Sequence, residues 1–283
     1  MTTAGNTTRV TVLVENTASG GLLGEHGLAY WIEFGPRRVL FDTGQGMAIQ
    51  HNARRLKVPL ATTDAIVLSH GHGDHTGGLS TVLNIAQQAK VYAHPAAFEP
   101  KYSCGSDGTS HRAGAPAETV SEVRRQPDML VETVGATEVC EGLFATGQVP
   151  RDSDFEDTGG RFFLDDQCCD PDLLIDDQSV FFDSPQGLVV LLGCAHSGVI
   201  NTLEHIRWLT GDRPIHTVMG GMHLINAGRK RMDRTVTELR RLDIKRLMPC
   251  HCTGFAAVGR LCCEFADSCS SCRAGTVIEA EVR

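Results

Sequence analysis

Apolar residues along this chain fall into short runs rather than long helical stripes, and their order predicts a strand-rich α/β protein. Residues 10–14 alternate and stop at Glu15-Asn16, the pattern of a first strand. Residues 28–34 are a second and residues 38–42, ending in Asp42 and a glycine-marked turn, a third, separated by the turn Gly35-Pro36, so the chain opens as a meander. Residues 47–56 have helical composition, with Ile49, Ala53 and Leu56 on one side. Residues 64–68 are short, apolar and β-branched at the centre, which predicts a buried strand. Residues 79–89 then set Leu79, Val82, Leu83 and Ala86 on one helical face, and residues 91–94 make a strand closed by Pro95.

The pattern weakens over residues 98–126, where Gly, Pro, Ser and Thr predict a long loop or lid. A second loop, residues 151–177, is strongly acidic and holds Cys168 and Cys169. Residues 130–134 and 142–146 read as strands between them. A hairpin then turns at Pro185-Gln186-Gly187 between strands 179–182 and 188–192. Helix 199–209, strand 215–219, helix 232–242, a short strand 246–248, helix 255–265 and a closing strand 276–280 complete the order. Two strand-rich halves facing each other are expected within one domain, residues 1–283, with a loop insertion around residues 98–177.

Composition narrows the function classes. The 283 residues are 41% apolar and 21% charged, as in an ordinary globular protein. A formal net charge of −8 gives no basic face for nucleic acid and argues against docking on an anionic membrane. No apolar run approaches the ~20 residues of a spanning helix, and residues 1–6 lack the basic and apolar regions of an export signal. A cytoplasmic protein acting on a small molecule is expected, with no signal of oligomeric state. The eleven cysteines are odd in number and include the adjacent pairs Cys168-Cys169 and Cys262-Cys263, a poor disulfide framework, so reduced thiols are expected.

The chemistry concentrates where strand 64–68 ends. His70, His72, Asp74 and His75 stand within six residues, and Gly71, Gly73, Gly77 and Gly78 keep the backbone open around them. Nitrogen and oxygen donors at this density suit a borderline cation such as zinc, with iron or manganese also compatible. Two later strand ends carry further imidazoles, at Gly193-Cys194-Ala195-His196 and at Cys250-His251-Cys252. His223 follows a strand and the pair Gly220-Gly221, and His26 lies in an early glycine-rich loop; both are candidate substrate contacts. His94 reads as a strand-end cap, His51, His205 and His216 as ordinary positions, and His111 as a surface residue in the lid beside Lys101, Tyr102 and Arg112. Cys194, Cys250 and Cys252 are expected to be small buried residues turned away from the ligands. Cys269-x-x-Cys272 lacks the second spaced pair of a zinc knuckle.

The motif His70-x-His72-x-Asp74-His75, with Asp42 in Phe41-Asp42-Thr43-Gly44 and the later His196 and His251, resembles the metallo-β-lactamase superfamily. The resemblance implies a four-layer αββα sandwich with one or two zinc ions at one edge. It implies one metal on His70, His72 and His196, a second on Asp74, His75 and His251, and Asp42 as a supporting residue. The superfamily's bridging Asp is missing: Gly221, Met222 and His223 stand at that strand end, leaving His223, solvent alone or a weak second site as its replacement. Glu25-His26-Gly27-Leu28, Gly220-Gly221-Met222-His223-Leu224 and His251-Cys252-Thr253-Gly254 also look like one subfamily, labelled 7,8-dihydropterin-6-yl-methyl-4-(β-D-ribofuranosyl)aminobenzene 5′-phosphate synthase. The expected activity is hydrolysis of a small anionic, phosphorylated or pterin-like substrate by metal-activated water, with Asp74 and His223 as catalytic groups and His26 and His223 contacting substrate. C–N bond formation on a dihydropterin is one alternative, and a metal-containing sensing module with little turnover is another.

Overall fold

The computed structural model describes residues 7–283. Residues 1–6, read above for the lack of an export signal, lie outside the described residues. The first half runs β1 (Thr7–Val14), β2 (Ala29–Phe34), β3 (Arg37–Phe41), α1 (Ile49–Leu56), β4 (Ala65–Val67), α2 (Gly73–Thr76), α3 (Leu79–Ile85) and β5 (Lys90–Ala93). A middle portion follows: β6 (Tyr102–Cys104), β7 (Ser110–Arg112), α4 (Ala117–Arg125) and β8 (Leu130–Glu132). The remainder is β9 (Thr137–Cys140), β10 (Leu143–Ala145), β11 (Phe162–Phe163), β12 (Val180–Ser184), β13 (Gly187–Leu192), α5 (Val199–Leu209), β14 (Ile215–Gly221), α6 (Arg229–Arg241), β15 (Arg246–Cys250), α7 (Phe255–Glu264) and β16 (Val277–Glu281).

Two large sheets face each other, ordered β16-β1-β2-β3-β4-β5-β8 and β15-β14-β13-β12-β10-β9. Tyr30, Ile32, Phe41 and Val67 of the first meet Leu143, Phe182, Leu191 and Met219 of the second in a shared core. Because side chains alternate along a strand, Leu13, Trp31, Leu40 and Ile66 point the other way, onto Ile49, Leu79 and Val82 of the helices. Val190, Leu192, Val218 and Leu247 likewise cover Val199, Leu203, Val236, Leu239 and Leu261. Both faces of each sheet are therefore buried, which explains the nearly continuous apolar runs of the central strands. The layers are helix, sheet, sheet, helix: the expected αββα sandwich.

The opening strands β1, β2 and β3 pair antiparallel, as a meander should. From β3 the pairing turns parallel, through β4 and β5 to β8, and β13, β14 and β15 are parallel in the second sheet. Parallel strands carry their C-terminal ends to one side, where α/β proteins gather their ligands. The loops after β4, β13, β14 and β15 meet there.

Three expectations need correction. Strand β9 was not predicted, because only Val139 of its four residues is buried and an edge strand of that kind has no alternation to read. The loops at 98–126 and 151–177 are ordered against each other: β11 from the second joins the β6–β7 hairpin of the first in a sheet ordered β11-β6-β7. A Cys104–Cys168 disulfide ties the same two loops across a sequence separation of 64, a pairing that cysteine spacing does not reveal, so the thiols are not all reduced. Lys101, in the first of these loops, is fully buried, its ammonium 2.9 Å from Asp172 and 3.0 Å from Asp176. Among the described residues no helix is long and apolar enough to cross a membrane.

Candidate metal centre

Asp42 ends β3 and anchors the site. One carboxylate oxygen accepts from the Ser69 amide at 2.7 Å; the other accepts from the Ser69 hydroxyl and from His75 Nδ1, each at 2.7 Å. The Ser69 proton is thus committed to Asp42, so its oxygen accepts from His70 Nδ1 at 2.9 Å. That chain of donors fixes two tautomers, leaving the Nε2 lone pairs of His70 and His75 free. His196 Nδ1 donates to the Thr158 carbonyl and His251 Nδ1 to Asn16 Oδ1, both at 2.8 Å, which fixes two more. Four imidazoles consequently hold one nitrogen on the protein and turn a lone pair inward.

The inward atoms crowd together. His75 Nε2 lies 3.2 Å from His251 Nε2, and Asp74 Oδ2 lies 3.6 Å and 3.3 Å from those same two atoms. His70 Nε2 lies 3.0 Å from His72 Nδ1, while His196 Nε2 is buried with no hydrogen-bond partner. Lone pairs facing one another at such distances repel unless a proton or a cation sits between them. Burial, reinforced by the neighbouring imidazoles, holds His70 and His196 well below the usual histidine range; burial takes His72 down to about 3. Burial thus favours the neutral form of all three imidazoles, the form that can bind a cation. At His75, burial is outweighed by Asp42 and Asp74, which push it up to about 9, so this half of the site demands positive charge. Asp74 is held well below the usual carboxylate range: burial works against this, and His75 and His251 overcome it. The donor set fits divalent metal binding: His70 with His196, His75 with His251, and Asp74 with His251 each stand in groups whose ligand atoms lie within 4.8 Å of one another.

Backbone strain marks the same place. Asp42, Ala195, His223 and His251 are non-glycine residues with φ of 60°, 52°, 44° and 52°. Left-handed backbone at residues with a Cβ costs energy and persists where surrounding structure enforces it. Gly193 is needed for a different reason: an added Cβ would meet Ser69 Oγ at 2.2 Å and break the Asp42 network.

The remaining sequence candidates divide clearly. His26 is exposed, with Nε2 3.5 Å from Asp74 Oδ2 and its ring stacked 5.4 Å from that of His251. The His223 ring lies 4.2 Å from that of His196 and its buried Nδ1 has no partner. Both line a cleft of about 550 Å³ over the centre, with Gln45, Ser103, Arg112 and Phe162 on its walls. His94 accepts from the Ala96 amide at 3.1 Å as a cap, and His111 is exposed outside the cleft. The C-terminal cysteines do not assemble: Cys269 faces Cys262 at 3.5 Å, whereas Cys272 is buried against the Met248 carbonyl.

Two cysteines overturn the expectation that they turn away. Cys194 Sγ lies 3.2 Å from His75 Nε2, and Cys252 groups with Cys194 and His223 within ligand range. Alternation around a turn misled here, because Ala195 and His251 take positive φ and redirect their neighbours. Asn16 and Thr158, which orient His251 and His196, had no signal in the motif; a search for acceptors near each imidazole requires the fold.

Residues 23–251 match the metallo-beta-lactamase superfamily, and the chain belongs to it. Members of that superfamily are mostly metal-dependent hydrolases, and the fold implies a divalent metal, typically zinc. The chain is 29% identical over 266 residues, 90% of each protein, to the 7,8-dihydropterin-6-methyl-4-(beta-D-ribofuranosyl)-aminobenzene-5'-phosphate synthase of Methanocaldococcus jannaschii. A second, uncharacterized protein of that organism is 31% identical over 256 residues, 89% of this chain and 93% of the relative. The solved structure of Tm1679, described as a metal-dependent hydrolase of the beta-lactamase superfamily, superposes with a TM-score of 0.80 at 29% identity, covering 97% of this chain and 99% of that one.

Proposed function

We propose that this chain is a metal-dependent hydrolase acting on a small anionic, phosphorylated or pterin-like molecule. The observation that carries the reading is the convergence of the site's donors, four of whose imidazoles hold one ring nitrogen on the protein and turn the other inward. His70, His72 and His196, and likewise Asp74, His75 and His251, would hold divalent cations, which when bound would supply water of a pKa lowered toward ~7 and a Lewis acid for an ester or phosphoryl oxygen.

The chain's own groups complete the step. Arg112 on the cleft wall supplies the positive charge that draws an anionic group, and Phe162, its ring 4.7 Å from that of His72, offers a flat face to an aromatic one. His26 borders the entrance over Asp74 and contacts the substrate. Asp74 accepts a proton as water forms the new bond to phosphorus or carbonyl carbon. His223 returns a proton to the oxygen whose bond breaks. The net reaction consumes one water and leaves an acid and an alcohol.

The alternative of C–N bond formation is favoured by one observation, the full-length similarity to the M. jannaschii synthase. The two separate in one experiment. Purified protein is offered aryl phosphodiesters, phosphomonoesters and carboxylic esters, and in parallel a dihydropterin diphosphate with an aminobenzene riboside phosphate. Hydrolysis of one ester class, abolished by chelator and restored by zinc, supports the proposal. A coupled pterin product with no hydrolysis contradicts it.

A further inference from the structure

The bridging carboxylate expected between the two triads is absent from its strand end, yet the position between them is not empty of donors. Cys194 follows β13 immediately after Gly193 and is buried. Its sulfur is within 4.8 Å of the ligand atoms of His70 and His196, and equally of those of His75 and His251. Among the described residues no other His, Cys, Asp or Glu groups with members of both triads in this way. Cys252 is distinct, since its thiol points to the Cys194 carbonyl at 3.6 Å and its neighbours are Cys194 and His223. Cys250 is farther removed, facing the Tyr30 hydroxyl at 4.0 Å.

We propose that Cys194 is a metal ligand, its thiolate shared between the two triads in the place of the missing carboxylate. The inference rests on the metal-centre reading and adds a sulfur donor to it. The 3.2 Å approach of Cys194 Sγ is to His75 Nε2, the ring nitrogen turned away from Asp42, which Nδ1 engages. Without a cation a thiol proton fills that gap; with one, sulfur and nitrogen become co-ligands and the proton leaves to solvent. The buried Nε2 of His196, which has no hydrogen-bond partner, belongs to a histidine that groups with the same sulfur within 4.8 Å and is a second nitrogen suited to a cation. A thiolate in the ligand set also selects among metals, favouring zinc over manganese or magnesium.

The test replaces the native metal with cobalt(II) and follows the near-ultraviolet sulfur-to-cobalt charge-transfer band, with bound metal counted by mass spectrometry. The wild type and Cys252→Ser are expected to keep the band, and Cys194→Ser to lose it while still binding cobalt at the histidines. X-ray absorption of the zinc-loaded wild type, which needs no variant, is expected to find a sulfur scatterer at ~2.3 Å. Cobalt bound to the wild type without a sulfur band, or a band lost in Cys252→Ser and kept in Cys194→Ser, overturns the proposal while leaving the metal centre standing. Failure of the wild type to bind metal at all overturns both.

Discussion

Asp42 and Arg112 separate the two tasks that single residues perform here. Asp42 is fully buried and does not line the cleft; its carboxylate holds His75 directly and His70 through Ser69. Asp42→Asn is therefore expected to weaken metal affinity by about 10–100-fold, read by competition with a chromogenic chelator, with little change in the fold. Arg112 stands on the cleft wall. Arg112→Ala is expected to raise KM about tenfold with kcat nearly unchanged, the loss of one charge-assisted contact to an anionic group. A fall in kcat with unchanged KM would remove Arg112 from substrate binding. At this scale the sequence is legible where donors are dense: four of the ligand candidates lie within residues 70–75. Cys194 was not legible as part of the site, because strand alternation does not carry through a turn in which Ala195 takes positive φ.

Elements are held in place by carboxylates far from them in sequence. Glu25 accepts from the amides of Met47 and Ala48, both at 2.9 Å, just ahead of α1. Glu156 accepts from Ile200 at 3.0 Å and Asn201 at 2.9 Å in the first turn of α5. Each satisfies amides that a helix leaves unpaired and places negative charge at the positive end of its dipole. Glu156→Ala is expected to cost ~1 kcal/mol, seen as a lower urea midpoint with unchanged m-value. An unchanged midpoint would mean that solvent replaces this cap without loss. Periodicity located α5 at 199–209 because its apolar face is continuous, and it located both halves of the sandwich. It did not reveal the capping partners or the parallel pairing of β3, β4 and β5, since these are set by contacts between distant segments.

The whole molecule joins its middle loops to its metal centre through one buried cation. Lys101 of the first loop pairs with Asp172 and Asp176 of the second, and Asp176 also accepts from the Gly71 amide at 2.7 Å, between His70 and His72. Gly71 has no room for a side chain, since a Cβ would meet the Ala97 carbonyl at 2.2 Å. Lys101→Met leaves two buried carboxylates unpaired and is expected to cost ~3–5 kcal/mol, read by thermal unfolding. Burial works against the Lys101 charge, but Asp176 and Asp172 overcome it and raise its pKa above the ordinary 10.5. A raised ammonium contributes its full stability below 10.5 and loses it as pH climbs through the folded value. Wild-type stability should then lose this contribution only in strongly alkaline solution, and a Lys101→Met protein should lack that alkaline loss. All of this architecture serves the convergence of His70, His72, Asp74, His75, His196 and His251, and metal content tests that convergence most directly. Elemental analysis of protein purified without chelator is expected to find between about one and two divalent cations per chain, zinc foremost, and a marked fall in His72→Ala. A folded wild-type protein carrying well under about one cation per chain, even after incubation with zinc, would contradict the account.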